Sequence, residues 1–388
     1  MNATPTVTVI GDGQLARMMH TEAIELGVNL RLLAGARDSS AGQVIADVVL
    51  GDYRNLDDLR KVAEGVVTFD HEHVPTEHLH ALIDDGIAVH PGPEALVNAQ
   101  DKLVMREKLQ EIGAPVPPFA GIQSVADADA FWDSVDGEVC LKATRGGYDG
   151  HGVWFPKSKE ELEGLVEKLL GENVPLMGEQ KVPFVRELSA LVARRPSGEV
   201  RPWRVVESVQ RDGICVEAIA PAPGMDAGLA DYCQSLAVKI ADELGVTGVL
   251  AVELFEYLDE DGMPQVAVNE LAMRPHNTGH WTQDGCVTSQ FEQHLRAVQD
   301  WPLGDVDQTA PVTVMANVLG GDEDPELPMA QRVREVMERY PQVKVHLYGK
   351  TYRAGRKIGH VNVSGQSVVK TREIARSAAH FLVTAQWL

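Results

Sequence analysis

The sequence predicts an α/β protein: a doubly wound parallel sheet, then a small strand–helix–strand unit, then a larger α+β region. Three observations predict it. Short apolar runs alternate with helix-period segments through the first hundred residues, as parallel strands with crossover helices require. A stiff connector, Pro115-Val116-Pro117-Pro118, then precedes a unit built around a glycine-rich loop. Beyond it, strand patterns at 248–255 and 265–270 flank the turn signal Asp259-Glu260-Asp261-Gly262-Met263-Pro264.

Element by element, Thr6–Ile10 reads as a buried strand, and Gly11-Asp12-Gly13-Gln14 turns into a helix through Leu26. Further strands are expected at 29–33, 44–50, 65–69 and 87–90, the last ending at Pro91-Gly92-Pro93. A helix over 101–112, closed by Gly113, leads to the connector. Residues 119–184 form the compact middle unit, and 185–388 mix strands and helices. Gly320-Gly321-Asp322-Glu323-Asp324-Pro325 is the strongest linker signal.

A net charge of −22 over 388 residues argues against a general nucleic-acid or anionic-membrane binder, because phosphate surfaces demand basic ones. Cys140, Cys215, Cys233 and Cys286 match no metal or redox spacing. The first residues do not read as a charged-then-apolar leader, and no apolar run is of membrane-spanning length. The expectation is a soluble cytoplasmic protein with reduced thiols and neither nucleic acid nor membrane as partner.

The most informative chemistry lies around the turn signal. If Asp261-Gly262 closes a two-residue turn, counting back along both strands sets Glu253 opposite Glu270, with Cβ atoms roughly 5 Å apart. Facing carboxylates repel, and a cation between them relieves the repulsion. Oxygen ligands, with Asn269 alongside, suit a hard ion such as Mg²⁺. A solvated hairpin in another register is the competing reading. Gly11-x-Gly13-x-x-Ala16 after a strand is like a dinucleotide loop. The second strand ends Leu33-Ala34-Gly35, without the acid that holds a nicotinamide ribose. A phosphate-bearing substrate fits this loop better than NAD, and a purely structural turn stays open.

Lys142 ends a strand, and Gly146, Gly147, Gly150 and Gly152 then punctuate a loop that also carries Tyr148, Asp149 and His151. Such a loop can close over a polyphosphate without any Walker spacing; a flexible hairpin tip is the bland reading. Glu179, Gln180, Lys181 and Val182 form an extended segment able to offer backbone groups to adenine, with Glu187 placed for ribose hydroxyls. Lys350, Arg353, Arg356 and Lys357 concentrate charge in an otherwise acidic chain. Two short strands around Ala354-Gly355 would aim them at a substrate phosphate, or they form an exposed charged hairpin. His71, His73, His78 and His80 beside Glu72 say little for zinc, since a polar helix start after Pro75 accounts for the last two.

Gly11-Asp12-Gly13-Gln14-Leu15, Arg145-Gly146-Gly147-Tyr148-Asp149-Gly150, Asn269-Glu270-Leu271-Ala272 with Arg274, His276-Asn277-Thr278-Gly279-His280-Trp281-Thr282 and Arg356-Lys357-Ile358-Gly359-His360 together resemble the ATP-grasp ligases. Within them the chain is similar, over nearly its whole length, to the 5-(carboxyamino)imidazole ribonucleotide synthase family of purine biosynthesis. The resemblance implies an ATP-grasp architecture with a substrate-binding N-terminal domain (1–100), a central lid domain with its connecting helix (101–184), and a C-terminal domain with the metal site and a terminal basic hairpin (185–388). It implies carboxylation of the exocyclic amine of 5-aminoimidazole ribonucleotide by bicarbonate through carboxyphosphate, with ATP cleaved to ADP and phosphate. Mg²⁺ (or Mn²⁺) and a homodimer are implied with it.

Carried over by position, Lys102, Lys142, Gly146, Gly147, Tyr148, Asp149, Gly150, His151, Gly152, Glu179, Gln180, Lys181, Val182, Glu187, Gln210, Asn269 and Glu270 bind ATP, and Glu253 and Glu270 hold the metal. Gly13, Gln14, Leu15, Glu72, Asp149, Arg274, Lys350, Arg353, Arg356 and Lys357 bind the ribonucleotide. The chemistry falls to Arg274, His276, Asn277, Tyr148 and Lys350. Asp70 and His71 depart from the family, standing where a longer acid and an aromatic ring are usual. The nearest alternative is another ATP-grasp ligase, such as a formate-dependent glycinamide ribonucleotide transformylase. A dehydrogenase and a non-catalytic nucleotide sensor fit less well, the first for want of the ribose acid, the second because Lys142, Glu253 and Glu270 are all present.

Overall fold

The computed structural model describes residues 4–146 and 152–388. Among them the strands form three sheets. The first contains β1 (Thr6–Ile10), β2 (Asn29–Ala34), β3 (Asp47–Leu50), β4 (Val66–Phe69) and β5 (Ala88–Val89). All are parallel, in the order β3-β2-β1-β4-β5. β1 is central, with Val7 to Ile10 all buried; Thr8 fits the interior because its hydroxyl donates to the Glu64 carbonyl at 2.8 Å. β3 starts later than expected because residues 39–45 are held in turns, with Ala41 N–H bonded to the Asp12 carbonyl at 3.0 Å. Strand order reverses between β1 and β4, and ligands of open α/β sheets bind outside the strand ends at such a point. Gly11 to Gly13 follow β1, and Asp70 to Glu72 follow β4.

The second sheet holds β6 (Phe119–Ile122), β7 (Val139–Ala143), β8 (Val153–Trp154) and β9 (Leu176–Gln180), antiparallel in the order β6-β9-β7-β8. Helices Val125–Ser134 and Lys159–Gly171 cover it. Each is started by a serine, Ser124 or Ser158, whose hydroxyl accepts the N–H three residues on. This unit has its own core of Ile122, Phe131, Leu141, Leu162 and Val166.

The third sheet comprises β10 (Phe184–Arg194), β11 (Val200–Pro202), β12 (Val206–Arg211), β13 (Ile214–Ala220), β14 (Gly248–Leu258), β15 (Pro264–Ala272), β16 (Val312–Leu319), β17 (Lys344–Leu347) and β18 (Lys357–Gly365). Its main path is β15-β14-β10-β12-β13-β16-β18-β17, with β11 paired to β10. The polar break after Leu319 is not a boundary between units: β16 before it pairs with β18 after it. It is a surface connection within one sheet.

Two shared cores fasten the first sheet to the third. In one, Ile10, Phe69, Leu96 and Met105 pack with Leu188, Leu250 and Val268. In the other, Val9, Leu15 and Met19 pack with Phe291 and Leu295 of the helix Gln290–Val298. The crevice beyond β1 and β4 is therefore held against the β14–β15 hairpin.

Candidate active site

That hairpin carries the paired acids. Glu253 pairs with Glu270, as the sequence suggests, but through a different geometry. The turn is a five-residue loop, Asp259 to Met263, in which the Asp259 carboxylate accepts N–H groups from Asp261 and Met263 at 3.1 and 2.8 Å. Such an Asx arrangement displaces the expected two-residue turn and shifts the register by one along Leu254–Leu258. A bulge at Asn269 shifts it back, so the two changes cancel at Glu253. The bulge leaves the Asn269 carbonyl free of the ladder, and Arg106 Nη2 donates to it at 2.7 Å.

Burial, reinforced by the charges of Glu270 and Glu187, pushes the Glu253 carboxyl up to about 8. His276 Nε2 lies 3.2 Å from Glu253 Oε1. Burial and then the cations of Arg274 and Lys357 push His276 down to about 3. Near neutral pH the contact is therefore a hydrogen bond from a protonated carboxyl to a neutral imidazole. His276 Nδ1 lies 2.8 Å from Thr278 Oγ1, whose hydroxyl donates to Ser189 at 2.8 Å. Glu270 Oε1 accepts from Lys102 Nζ at 2.6 Å. Burial also raises Glu187, to about 7.

Beyond β15, Arg274 Nε donates to Glu72 Oε2 at 2.8 Å. This joins the hairpin to the switch point of the first sheet. Two polar atoms here are buried without a partner among the described residues, Glu72 Oε1 and Asn277 Nδ2. The His276–His280 segment is clasped by buried Gln290, whose amide accepts from His276 N and donates to the His276 carbonyl, both at 2.8 Å. The same amide nitrogen lies 2.9 Å from His280 Nδ1.

At the first glycine loop the structure corrects the phosphate-cradle reading. The Asp70 carboxylate accepts N–H groups from Gly13, from Leu15 at 3.1 Å and from Ala16 at 3.2 Å, so it occupies the helix N-terminus where a phosphate was expected. A Cβ at Gly11 would strike the His71 ring, and one at Gly13 the Asp70 carboxylate; these glycines make room for side chains. Gln14 instead meets the basic segment near the C-terminus: its Oε1 accepts from Lys350 Nζ at 2.5 Å, across most of the chain.

Lys350, Arg353 and Arg356 sit in the loop between β17 and β18, not on two short strands around Ala354-Gly355. Arg356 braces that loop by donating to the Thr351 carbonyl and hydroxyl at 3.2 and 3.1 Å. The basic residues nonetheless converge. Burial holds Lys350 below the usual lysine range, and Arg356, Lys357 and Arg353 push the same way against Asp70.

Lys142 Nζ donates to Glu179 at 2.5 Å, and Arg106 Nε donates to the other Glu179 oxygen at 2.6 Å. The Glu179 side chain therefore faces these cations. Gln180 and Lys181 donate their N–H groups to the Pro118 and Glu138 carbonyls, both at 2.8 Å, in the segment between the second and third sheets. Gln210 lies at a bulge in β12 and donates to Ser208 Oγ at 3.0 Å. Gly146 and Gly152 flank the loop with positive φ of 77° and 75°; Gly147, Tyr148, Asp149, Gly150 and His151 lie outside the described residues. His71 and His73 stack on each other at 5.3 Å, and no group of three or more metal-ligating side chains occurs among the described residues.

Comparison with known proteins settles the family. A relative from Corynebacterium ammoniagenes, an N5-carboxyaminoimidazole ribonucleotide synthase, is 64% identical over 385 residues, spanning 99% of this chain and 93% of its own. The chain belongs to the N5-carboxyaminoimidazole ribonucleotide synthase family. A Bacillus subtilis member of that family is 35% identical, spanning 93% of this chain and 91% of its own. Three domain families match in sequence: the ribonucleotide synthetase preATP-grasp domain at 4–100, the ATP-grasp domain at 107–291 and the phosphoribosylaminoimidazole carboxylase C-terminal domain at 313–374. The crystal structure of N5-carboxyaminoimidazole synthase from Aspergillus clavatus, in complex with ADP and 5-aminoimidazole ribonucleotide, superposes with a TM-score of 0.87 at 28% identity, covering 98% of this chain and 99% of that one. The three sheets are thus the ATP-grasp architecture of the N5-carboxyaminoimidazole ribonucleotide synthase family.

Sequence reading missed Arg106, Ser189, Thr278 and Gln290, and it treated Asp70 only as a departure. Arg106 left one signal, its place one helical turn after Lys102. Nothing local marks Gln290.

Proposed function

We propose that the chain carboxylates the exocyclic amine of 5-aminoimidazole ribonucleotide, using bicarbonate and ATP and releasing ADP and phosphate. One observation carries the reading: the Arg274–Glu72 ion pair at 2.8 Å sets the paired-acid hairpin beside the switch point where Lys350 reaches Gln14. Phosphoryl transfer and the amine can then meet in one crevice.

Glu253 and Glu270 suit Mg²⁺, with Mn²⁺ a substitute: Mg²⁺ is commonly held by one or two carboxylates plus substrate phosphates, and here two facing acids carry one negative charge more than their setting favours. When bound, the ion offsets charge on the transferring phosphoryl group. Lys142 and Lys102 grip the phosphates, and Val182 faces adenine, since the Gln180 and Lys181 N–H groups are already taken. Glu187 and Gln210 line the ribose side.

A bicarbonate oxygen attacks the γ-phosphorus, giving ADP and carboxyphosphate, which then splits to CO₂ and phosphate. Arg274 and the unpartnered Asn277 Nδ2 hold these anions. The ribonucleotide phosphate lies among Lys350, Arg353, Arg356 and Lys357. Its amine donates to the unpartnered Glu72 Oε1, which aims the nitrogen lone pair at the carbon. Burial and the cations of Arg274 and Lys357 keep His276 neutral, so the phosphate set free with CO₂, the stronger base, takes the proton released as the carbamate forms. We place the division of labour at 1–100, 101–184 and 185–388, and the working assembly as a cytoplasmic homodimer. Among the described residues no helix is long and apolar enough to cross a membrane.

The test is ADP release from Mg²⁺-ATP with 5-aminoimidazole ribonucleotide plus bicarbonate, set against glycinamide ribonucleotide plus formate. Bicarbonate-dependent turnover with the first pair alone is expected. Turnover with the second pair alone would overturn the substrate assignment.

A further inference from the structure

Arg106 has no part in the chemistry above, yet it is 1% exposed at the junction of the second and third sheets. It lies on the helix Lys102–Glu111. The start of that helix is tied to the second sheet, where Lys102 N–H meets the Thr144 carbonyl at 2.8 Å. Arg106 Nε donates to Glu179 Oε2 at 2.6 Å and Nη2 to the bulge carbonyl of Asn269 at 2.7 Å. The other Glu179 oxygen accepts from Lys142 Nζ at 2.5 Å. One buried carboxylate thus serves two cations, and the cluster carries one positive charge in excess.

We propose that Arg106 is a positioning residue that keeps Glu179 neutralised, so that Lys142 can leave that carboxylate for the phosphates of ATP. A buried carboxylate stripped of its only cation is strongly unfavourable, so Glu179 alone would trap Lys142. With Arg106 present, the Arg106–Glu179 pair stays whole while the lysine exchanges one anion for another. The two side chains suit these roles. The planar guanidinium binds Glu179 and Asn269 at once and is anchored by both, whereas lysine is a mobile point charge on a flexible stem. This inference rests on Lys142 as a phosphate ligand.

The test is calorimetric binding of Mg²⁺ with the imido analogue of ATP to the full chain and to Lys142→Met, Arg106→Met, Glu179→Gln and the Arg106→Met/Glu179→Gln double variant. Arg106→Met is expected to weaken binding by about tenfold or more, the scale of a hydrogen bond to a charged group. Adding Glu179→Gln removes the anion that traps Lys142 and is expected to restore affinity to within about threefold of the unmodified chain, a coupling typical of residues in one network. A residue that merely props the fold, or acts only through the Asn269 carbonyl, gains nothing from that second change; failure to recover would overturn the proposal. If Arg106→Met alone does not fold, the double variant decides by itself, since it buries no unpaired carboxylate: near-normal binding supports the exchange, and lost binding refutes it. Absence of binding by the unmodified chain, or an unaffected Lys142→Met variant, would instead overturn the ATP-site reading.

Discussion

Glu253→Gln should make the ligand-free protein more stable while abolishing its activity. The Glu253 carboxyl titrates near 8 in the folded chain against an ordinary value of 4.5. At pH 7 it is ionised when unfolded and protonated when folded, so folding must take up a proton. Spread over the interval from 4.5 to 7, this costs about 3 kcal/mol at most. Glutamine carries no such cost, and its amide can still donate to His276 Nε2. Because the folded value is raised, the destabilisation is absent below the unfolded value and grows as pH rises towards 8. The variant's advantage should thus be below about 1 kcal/mol at pH 5 and about 3 kcal/mol at pH 7, or roughly 4 °C in Tm for a chain of this size. Thermal unfolding at the two pH values measures it. Turnover should fall by a factor of about 10² or more, as when a group stabilising transition-state charge is removed, and Mg²⁺-ATP should no longer raise Tm. A variant no more stable than its parent at pH 7, or equally stabilised at both pH values, would refute the assignment of a buried, like-charged carboxyl.

Four further outcomes follow from the same geometry. Binding of Mg²⁺-nucleotide at pH 7 should release close to one proton as Glu253 ionises; calorimetry in buffers of different ionisation enthalpy measures it, and proton-neutral binding would count against the metal site. Gln290→Leu strands the His276 N–H and carbonyl, so a loss of about 2–5 kcal/mol in stability is expected by denaturant titration. Lys350→Met should raise KM for the ribonucleotide about tenfold or more while leaving Mg²⁺-nucleotide affinity nearly unchanged. Glu270→Gln should fold normally, because its partner Lys102 meets a carboxylate side chain that is 43% exposed and such pairs add little, yet lose nearly all turnover.

What was legible in the chain was whatever local pattern encodes. The parallel strands, the helix begun by Asp101 and the hairpin all follow from short-range periodicity and turn chemistry. So does the pairing of Glu253 with Glu270, although an Asx loop and a bulge each moved the register and happened to cancel. The bulge could not be foreseen, because what rewards it is Arg106, which arrives from a helix some 160 residues away to donate to the freed carbonyl.

The unforeseen parts share that cause. Asp70 closes the first helix from the end of another strand, so a glycine loop that looks like an anion cradle already holds its anion. Gln290 clasps the His276–His280 segment from the helix Gln290–Val298. Lys350 finds Gln14 only because two shared cores press the first sheet against the third. In each case one partner's residue type is unremarkable, and its role appears only when tertiary packing supplies the other partner. Charge makes these contacts consequential. The cations Lys102, Arg106, Lys142 and Arg274 each meet a carboxylate in the ligand-free protein, in a chain whose net charge is −22. An anionic ligand of Lys102, Lys142 or Arg274 must therefore compete with a resident carboxylate, whereas Lys350 is held only by the neutral Gln14 amide. The site is organised for exchange of partners, and selectivity for polyanions follows, since only a ligand with several charges replaces several carboxylates at once.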